Sequence, residues 1–216
     1  PVTFGEYARF LAAVECERGA GAADEHVPRD ANVGPLMIRG GDGRFAVKPD
    51  LIDGPPAERC LREHGPGWID RLPVVCVSFD DTVAYCAWQS RETGQTWRLP
   101  TEEEREKAAR GVDGRRFPWG DVEDASLLKC GQSRPENPQP EPVGAFPTST
   151  SVYGMGDAAG GVWDWTDSWF DVGHRWRVLR GGSWHLGAAL GRTTCRNWIT
   201  PTDRFTYTGF RCAKGL

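Results

Sequence analysis

Ten tryptophans share this chain of 216 residues with 27 glycines and 16 prolines. Gly and Pro at that density interrupt regular structure every few residues, so the backbone turns often and carries few long elements. Such a chain must still remove apolar surface from water, and tryptophan does so with few residues because each ring buries a large area. The pattern predicts short elements wedged together by large aromatic side chains. Hydrophobic residues make up 39% and charged residues 26%, which fits a globular domain with a real core and not a disordered chain.

Several function classes fall away on charge and composition. The formal net charge is −4, and no basic stripe offers a footprint for nucleic acid or an anionic membrane surface. No apolar run reaches the length of a membrane-spanning helix. The seven cysteines, Cys16, Cys60, Cys76, Cys86, Cys130, Cys195 and Cys212, are odd in number, irregularly spaced and without a C-x-x-C pair. That spacing argues for reduced thiols in a cytoplasmic protein over a disulfide framework or a zinc site. No signal peptide is legible at Pro1.

Three helix starts are written as capping boxes, in which a hydroxyl and a carboxylate three residues on satisfy free backbone N–H groups. Thr3-Phe-Gly-Glu6 precedes Tyr7, Phe10, Leu11 and Val14 at helical spacing. Ser78-Phe-Asp-Asp81 precedes Val83, Ala84, Ala87 and Trp88. Thr101-Glu-Glu-Glu104 opens a third helix that Gly111 ends. Residues 17–70 read as a long irregular insertion, with Gly40-Gly-Asp-Gly43 and Gly54-Pro-Pro56 as turns. Pro135 to Pro142 reads as extended surface loop. Beyond Val143 short strands and turns follow, and helices followed by short antiparallel strands predict an α+β domain.

The ordered motifs resemble a known family. Pro73-Val-Val-Cys-Val-Ser-Phe-Asp-Asp-Thr-Val-Ala-Tyr-Cys-Ala-Trp88, Arg98-Leu-Pro-Thr-Glu-Glu-Glu104, Ala108-Ala-Arg-Gly111 and Phe117-Pro-Trp-Gly-Asp121 are similar to the formylglycine-generating enzyme (sulfatase-modifying factor) domain. Tyr153-Gly-Met-Gly-Asp-Ala-Ala-Gly-Gly-Val-Trp-Asp-Trp165, Arg177-Val-Leu-Arg-Gly-Gly-Ser-Trp184 and Gly209-Phe-Arg-Cys-Ala213 continue it in order. The resemblance covers nearly all of residues 1–216 as one domain, with 17–70 least covered. It implies a C-type-lectin-like fold and β-strands preceding Pro1. Fold alone does not settle function: the family holds copper-binding oxidases that make formylglycine, iron-dependent sulfoxide synthases, domains fused to bacterial serine/threonine kinases, and display proteins diversified by retroelements.

The resemblance also locates what is missing. The oxidases hold a soft copper ion with two cysteines shortly after the Gly-Gly-Ser-aromatic run. Here the first position falls on Leu186 and the second on Gly191, or on Ala188 if counted from the C-terminal side. Cys195 lies at a position that is not catalytic in the family. The sulfoxide synthases need three histidines, and His26, His64, His174 and His185 form no pair at metal spacing. No redox metal is therefore expected. Asp157-Ala-Ala-Gly-Gly-Val-Trp-Asp164 resembles the family's calcium loop, which implies a structural Ca²⁺ held by the carboxylates of Asp157 and Asp164 and the carbonyls of Ala158, Gly160 and Val162. Arg105 stands where the family has Trp, and the change suggests a more exposed face.

Residues 177–213 carry the candidate contact surface. His185, Leu186, Ala188, Thr193, Trp198, Thr200, Thr202, Arg204, Phe205, Thr206 and Tyr207 set apolar and aromatic groups among threonines, the composition of binding hot spots. Arg192, Arg196 and Arg211 are expected to brace the backbone, and Trp163, Trp184 and Phe210 to complete the core. The pattern resembles the variable region of the diversified display proteins. The leading expectation is a non-catalytic domain that binds a protein or small-molecule ligand, as the sensor or display part of a longer bacterial chain such as a kinase. The alternatives are a metal-dependent oxidase with altered ligands, using His185 and Cys195, and a purely structural domain.

Overall fold

The computed structural model describes residues 1–135 and 139–215. It is an α+β domain of five helices, short strand pairs and one four-stranded sheet. All three capping boxes form. Helix α1 (Phe4–Arg18), α4 (Phe79–Thr93) and α5 (Glu102–Arg110) begin at Thr3, Ser78 and Thr101. At α4 the reciprocal bonds are 2.7 Å from the Ser78 N–H to Asp81 and 3.3 Å from the Asp81 N–H to Ser78 Oγ. Gly111 ends α5 at φ 76°, with its N–H donated to the Lys107 carbonyl.

The apolar stripes of α1 and α4 meet in an aromatic core. Tyr7 stacks on Tyr85 at 5.9 Å, Phe10 meets Trp88 at 5.8 Å, and Phe210 closes on Tyr85 edge-on at 5.2 Å. Trp68, Trp88, Trp163 and Trp165 are buried. The other described tryptophans sit half-buried, with Trp198 exposed, so large rings cover the surface of this fold as well as filling it. Cys86 and Cys212 approach to 3.4 Å between sulfurs.

Residues 17–70 correct the expectation of an irregular insertion. They hold α2 (Ala20–His26), hairpins β1–β2 (Arg29–Asp30, Gly34–Pro35) and β3–β4 (Met37–Arg39, Phe45–Val47), and α3 (Gly54–His64). Gly40 to Gly43 is indeed a turn, closing β3 on β4 with the Gly40 N–H donated to the Arg44 carbonyl at 2.8 Å. Gly54-Pro-Pro56 instead starts a helix, because proline in the first turn gives up an N–H that has no partner there anyway. Of the Pro-rich stretch, 136–138 lie outside the described residues. Glu141 within it is buried among Arg59, Arg134 and Lys129, so that end is not surface loop.

Strand β5 (Trp97–Arg98) pairs with β10 (Ala213–Lys214). The main sheet has the order β8 (Arg196–Ile199), β7 (Arg177–Arg180), β6 (Trp163–Trp169), β9 (Thr208–Phe210). The β6–β7 and β7–β8 pairs are antiparallel as expected, but β9 runs parallel to β6. The segment between β8 and β9 crosses to the far edge of the sheet before pairing, so the chain returns in the same direction. That crossing segment, 200–207, carries most of the candidate contact residues.

Candidate functional site

Glycines set the geometry of the run after β7. Gly181 (φ 108°) and Gly182 (φ 83°) turn the chain sharply. A Cβ on Gly182 would stand 2.8 Å from the Leu190 carbonyl, closer than real Cβ atoms come. Beyond them Ser183 is buried, with its Oγ 3.1 Å from His185 Nδ1. Trp184 is tied down twice, by its backbone N–H to the Gly161 carbonyl at 2.7 Å and by its indole N–H to the Thr206 carbonyl at 3.0 Å. The second bond joins the two ends of the candidate region.

The structure sorts the eleven expected contact residues into groups. His185, Phe205 and Tyr207 form one aromatic cluster with Trp184. His185 lies 5.2 Å from Trp184 and 4.6 Å from Tyr207, and Phe205 stacks on Tyr207 at 4.9 Å and 6°. Thr206 is exposed within the cluster and Leu186 half-buried beside it. Trp198 stands apart, stacked on Phe170 at 4.1 Å. Thr200 and Thr202 follow it, their hydroxyls 3.2 Å apart.

Three residues leave the contact set. Ala188 is buried. Thr193 is buried with its hydroxyl donated to the Arg115 carbonyl at 3.0 Å. Arg204 turns inward, 2.8 Å from Asp81 and bonded to the Val27 carbonyl at 3.2 Å; it fastens the crossing segment to α4 and α2. Spacing alone did not reveal these partners because they come from Arg115, Asp81 and Val27, far away in sequence.

A cavity of about 290 Å³ opens beside the cluster. Trp184 and Thr206 form one wall, and Phe4 and Leu72 line its inner side. Its other wall comes from the supposed insertion: Val33, Leu36, Val47, Leu51 and Ile52. These residues escaped the sequence reading. The signal for them was an aliphatic residue every few positions through a Gly-rich stretch, the mark of a segment lying against something apolar. In the neighbouring cluster, burial lowers the pKa of His185, which favours its neutral ring.

The positions of the family's thiols carry no sulfur. Leu186 is half-buried, and at Gly191 a Cβ would run into Leu128 Cδ1. Gly191→Cys is therefore expected to destabilise the domain by about 1–3 kcal/mol, because fully packed Leu128 must move. A thermal melt of that variant matching wild type would show that the pocket accommodates a thiol after all. Cys195 is half-buried, its thiol pKa pushed up by burial, and its carbonyl accepts from Arg180 at 2.8 Å.

The loop 157–164 differs from expectation most. Asp164 is fully enclosed, and its Oδ2 accepts from Arg105 Nε and from Arg211 Nε, each at 2.8 Å. The Ala158 carbonyl accepts from Arg105 at 3.0 Å and the Asp157 carbonyl from Arg211 at 2.9 Å. The Asp157 carboxylate accepts the Gly144 N–H at 2.9 Å. Gly160 and Val162 complete the turn, with the Gly160 N–H donated to the Gly181 carbonyl at 2.7 Å and Val162 in the core. Arg105 is 3% exposed, so the replacement of Trp does not open a face of α5 but sends a charge inward. With Ala158 and half of Asp164 already engaged by guanidinium groups, these donors do not fit a calcium ion held by all five residues.

Residues 1–216 match the profile of the sulfatase-modifying factor enzyme 1-like domain. The chain is 42% identical to the inactive C-alpha-formylglycine-generating enzyme 2 of Mus musculus over 158 residues, 66% of this chain and 49% of that protein. It is 32% identical to the hercynine oxygenase of Mycobacterium tuberculosis over 243 aligned positions, 99% of this chain and 51% of that protein. It thus spans about half the length of both. The solved structure of PvdO from Pseudomonas aeruginosa superposes with a TM-score of 0.69 at 26% identity, covering 100% of this chain and 78% of that one. With the profile matched from end to end and the architecture shared, the chain belongs to the sulfatase-modifying factor enzyme 1-like domain family and has its C-type-lectin-like fold.

Proposed function

We propose that this chain is a non-catalytic binding domain that takes an apolar group of its ligand between Trp184 with Thr206, at the edge of the aromatic cluster, and the wall built by residues 33–52. The cavity at that place carries the reading. It is apolar on nearly every side and bounded by the rings of Phe4 and Trp184, the kind of rigid anchor that concentrates binding energy in a few residues. At about 290 Å³ it lies at the small end of ligand pockets, which suits one side chain or one short hydrocarbon group of a protein or small molecule. Support also comes from the lack of thiols at 186 and 191, and from similarity to a relative described as inactive. The domain would be the ligand-reading part of a longer chain, such as a kinase.

The apolar dye 1-anilinonaphthalene-8-sulfonate tests this without knowledge of the natural ligand. Wild type is expected to bind one dye with enhanced fluorescence. Leu51→Trp, which fills the cavity, and Trp184→Ala, which removes one of its walls, should each weaken binding at least about tenfold, or ~1.4 kcal/mol. Trp198→Ala should leave it unchanged, because that ring packs on Phe170 instead. Equal binding by all four proteins would remove the cavity from the account.

The similarity to the hercynine oxygenase of Mycobacterium tuberculosis across 99% of the chain favours one rival, a metal-dependent oxidase with altered ligands at His185 and Cys195. Among the described residues no group of three His, Cys, Asp or Glu side chains gathers as a metal site, so a ligand from elsewhere in a longer protein would be needed. Oxygen uptake with Cu(I) or Fe(II) and a thiol that exceeds the uptake of metal and thiol alone, and that His185→Ala abolishes, would establish the rival.

A further inference from the structure

We propose that the Arg105 guanidinium takes the place of a structural cation in the loop 157–164, so that the scaffold behind the binding face keeps its shape without calcium. Calcium requires six to eight oxygens around one point. Here the oxygens of this loop converge on two guanidinium groups. Arg105 spans Asp164 Oδ2 and the Ala158 carbonyl, and Arg211 spans Asp164 Oδ2 and the carbonyls of Gly156 and Asp157. The Asp164 carboxylate is thereby paired with two guanidinium charges, while the Asp157 carboxylate accepts the Gly144 N–H, and a divalent ion would bring excess charge into a closed site, where it is costly. Asp164 Oδ1 is buried without a hydrogen bond, and one such oxygen falls far short of a coordination sphere.

The surroundings are shaped for the arginine. A Cβ on Gly181 would stand 2.8 Å from Arg105 Nη2, so bare backbone makes the room that the guanidinium uses. The short side chain of Asp164 leaves length for Arg105 to reach it from α5. Burial lowers the Arg105 pKa to about 10 while Asp164 holds it up, so the group stays charged at neutral pH. Asp157 adopts φ 47°, and the bonds to its carbonyl and carboxylate fix that left-handed turn, as ion ligation would.

The test is stability, and it is independent of whether the face binds anything. Wild type should show the same Tm in EGTA and in millimolar calcium, and no bound calcium after dialysis. Arg105→Met should lose about 10 °C in EGTA, as expected for one partner of a buried pair in a domain of this size, and regain part of it on adding calcium. A wild-type Tm that falls in EGTA and returns with calcium overturns the proposal. So does a Met variant that keeps the wild-type Tm, or one that calcium leaves where it was. If the Met variant does not fold, the wild-type comparison decides alone.

Discussion

Arg180→Met should destabilise the domain by about 3–5 kcal/mol, seen as a fall in Tm of about 10 °C. Arg180 is 2% exposed at the end of β7. It pairs with Glu106 and Glu102 on α5, and its other N–H donates to the Cys195 carbonyl at 2.8 Å. Glu102 also holds Arg196 on β8, and Glu106 holds Arg110. One side chain thus ties α5 to two strands of the sheet. Met keeps the length and packing but removes the charge that bridges Glu102 and Glu106, leaving each with one arginine, and takes the donor from the Cys195 carbonyl. Calorimetry of the variant gives the answer, and a loss under about 1 kcal/mol would mean that the network is screened like an exposed one.

Trp165→Ala should cost a similar amount, about 3–5 kcal/mol, by a different route. The ring is completely buried on β6, meets Phe79 at 6.0 Å edge-on, and donates its indole N–H to the Val77 carbonyl at 3.0 Å. Alanine opens a void where the sheet, α4 and the 73–77 segment meet. Trp165→Phe separates the two contributions. It keeps most of the ring and leaves the Val77 carbonyl unpaired, which should cost about 1–3 kcal/mol. Chemical denaturation of both variants measures the difference, and equal losses would assign the whole effect to the hydrogen bond.

Much of the frame was legible because its causes are local. A capping box needs only residues three apart, and all three formed where Thr3, Ser78 and Thr101 placed them. The glycines of 181–182 and the tryptophans of β6 likewise carry their reasons in the motif. Gly54-Pro-Pro56 was misread because the same residues open turns and helices. What decides between the two is whether an apolar face follows, as Ala57 and Cys60 do here. The placement of the expected contact residues was half legible. Phe205, Thr206, Tyr207 and His185 came together, while Arg204, Ala188 and Thr193 were drawn inward by distant partners.

The sequence by itself determined the α+β class, the helix starts, the family and the absence of the thiol pair, since each follows from residue identity and short spacing. Only the tertiary structure decided the destinations of charges and cavities. Arg105 reads as a surface change until Asp164, 59 positions away, closes on it. The cavity exists only because residues 33–52 fold back against Trp184 and Thr206. The reason is physical. A buried charge and an apolar hollow are defined by what surrounds them in space, and in this turn-rich chain the neighbours in space come from remote parts of the sequence.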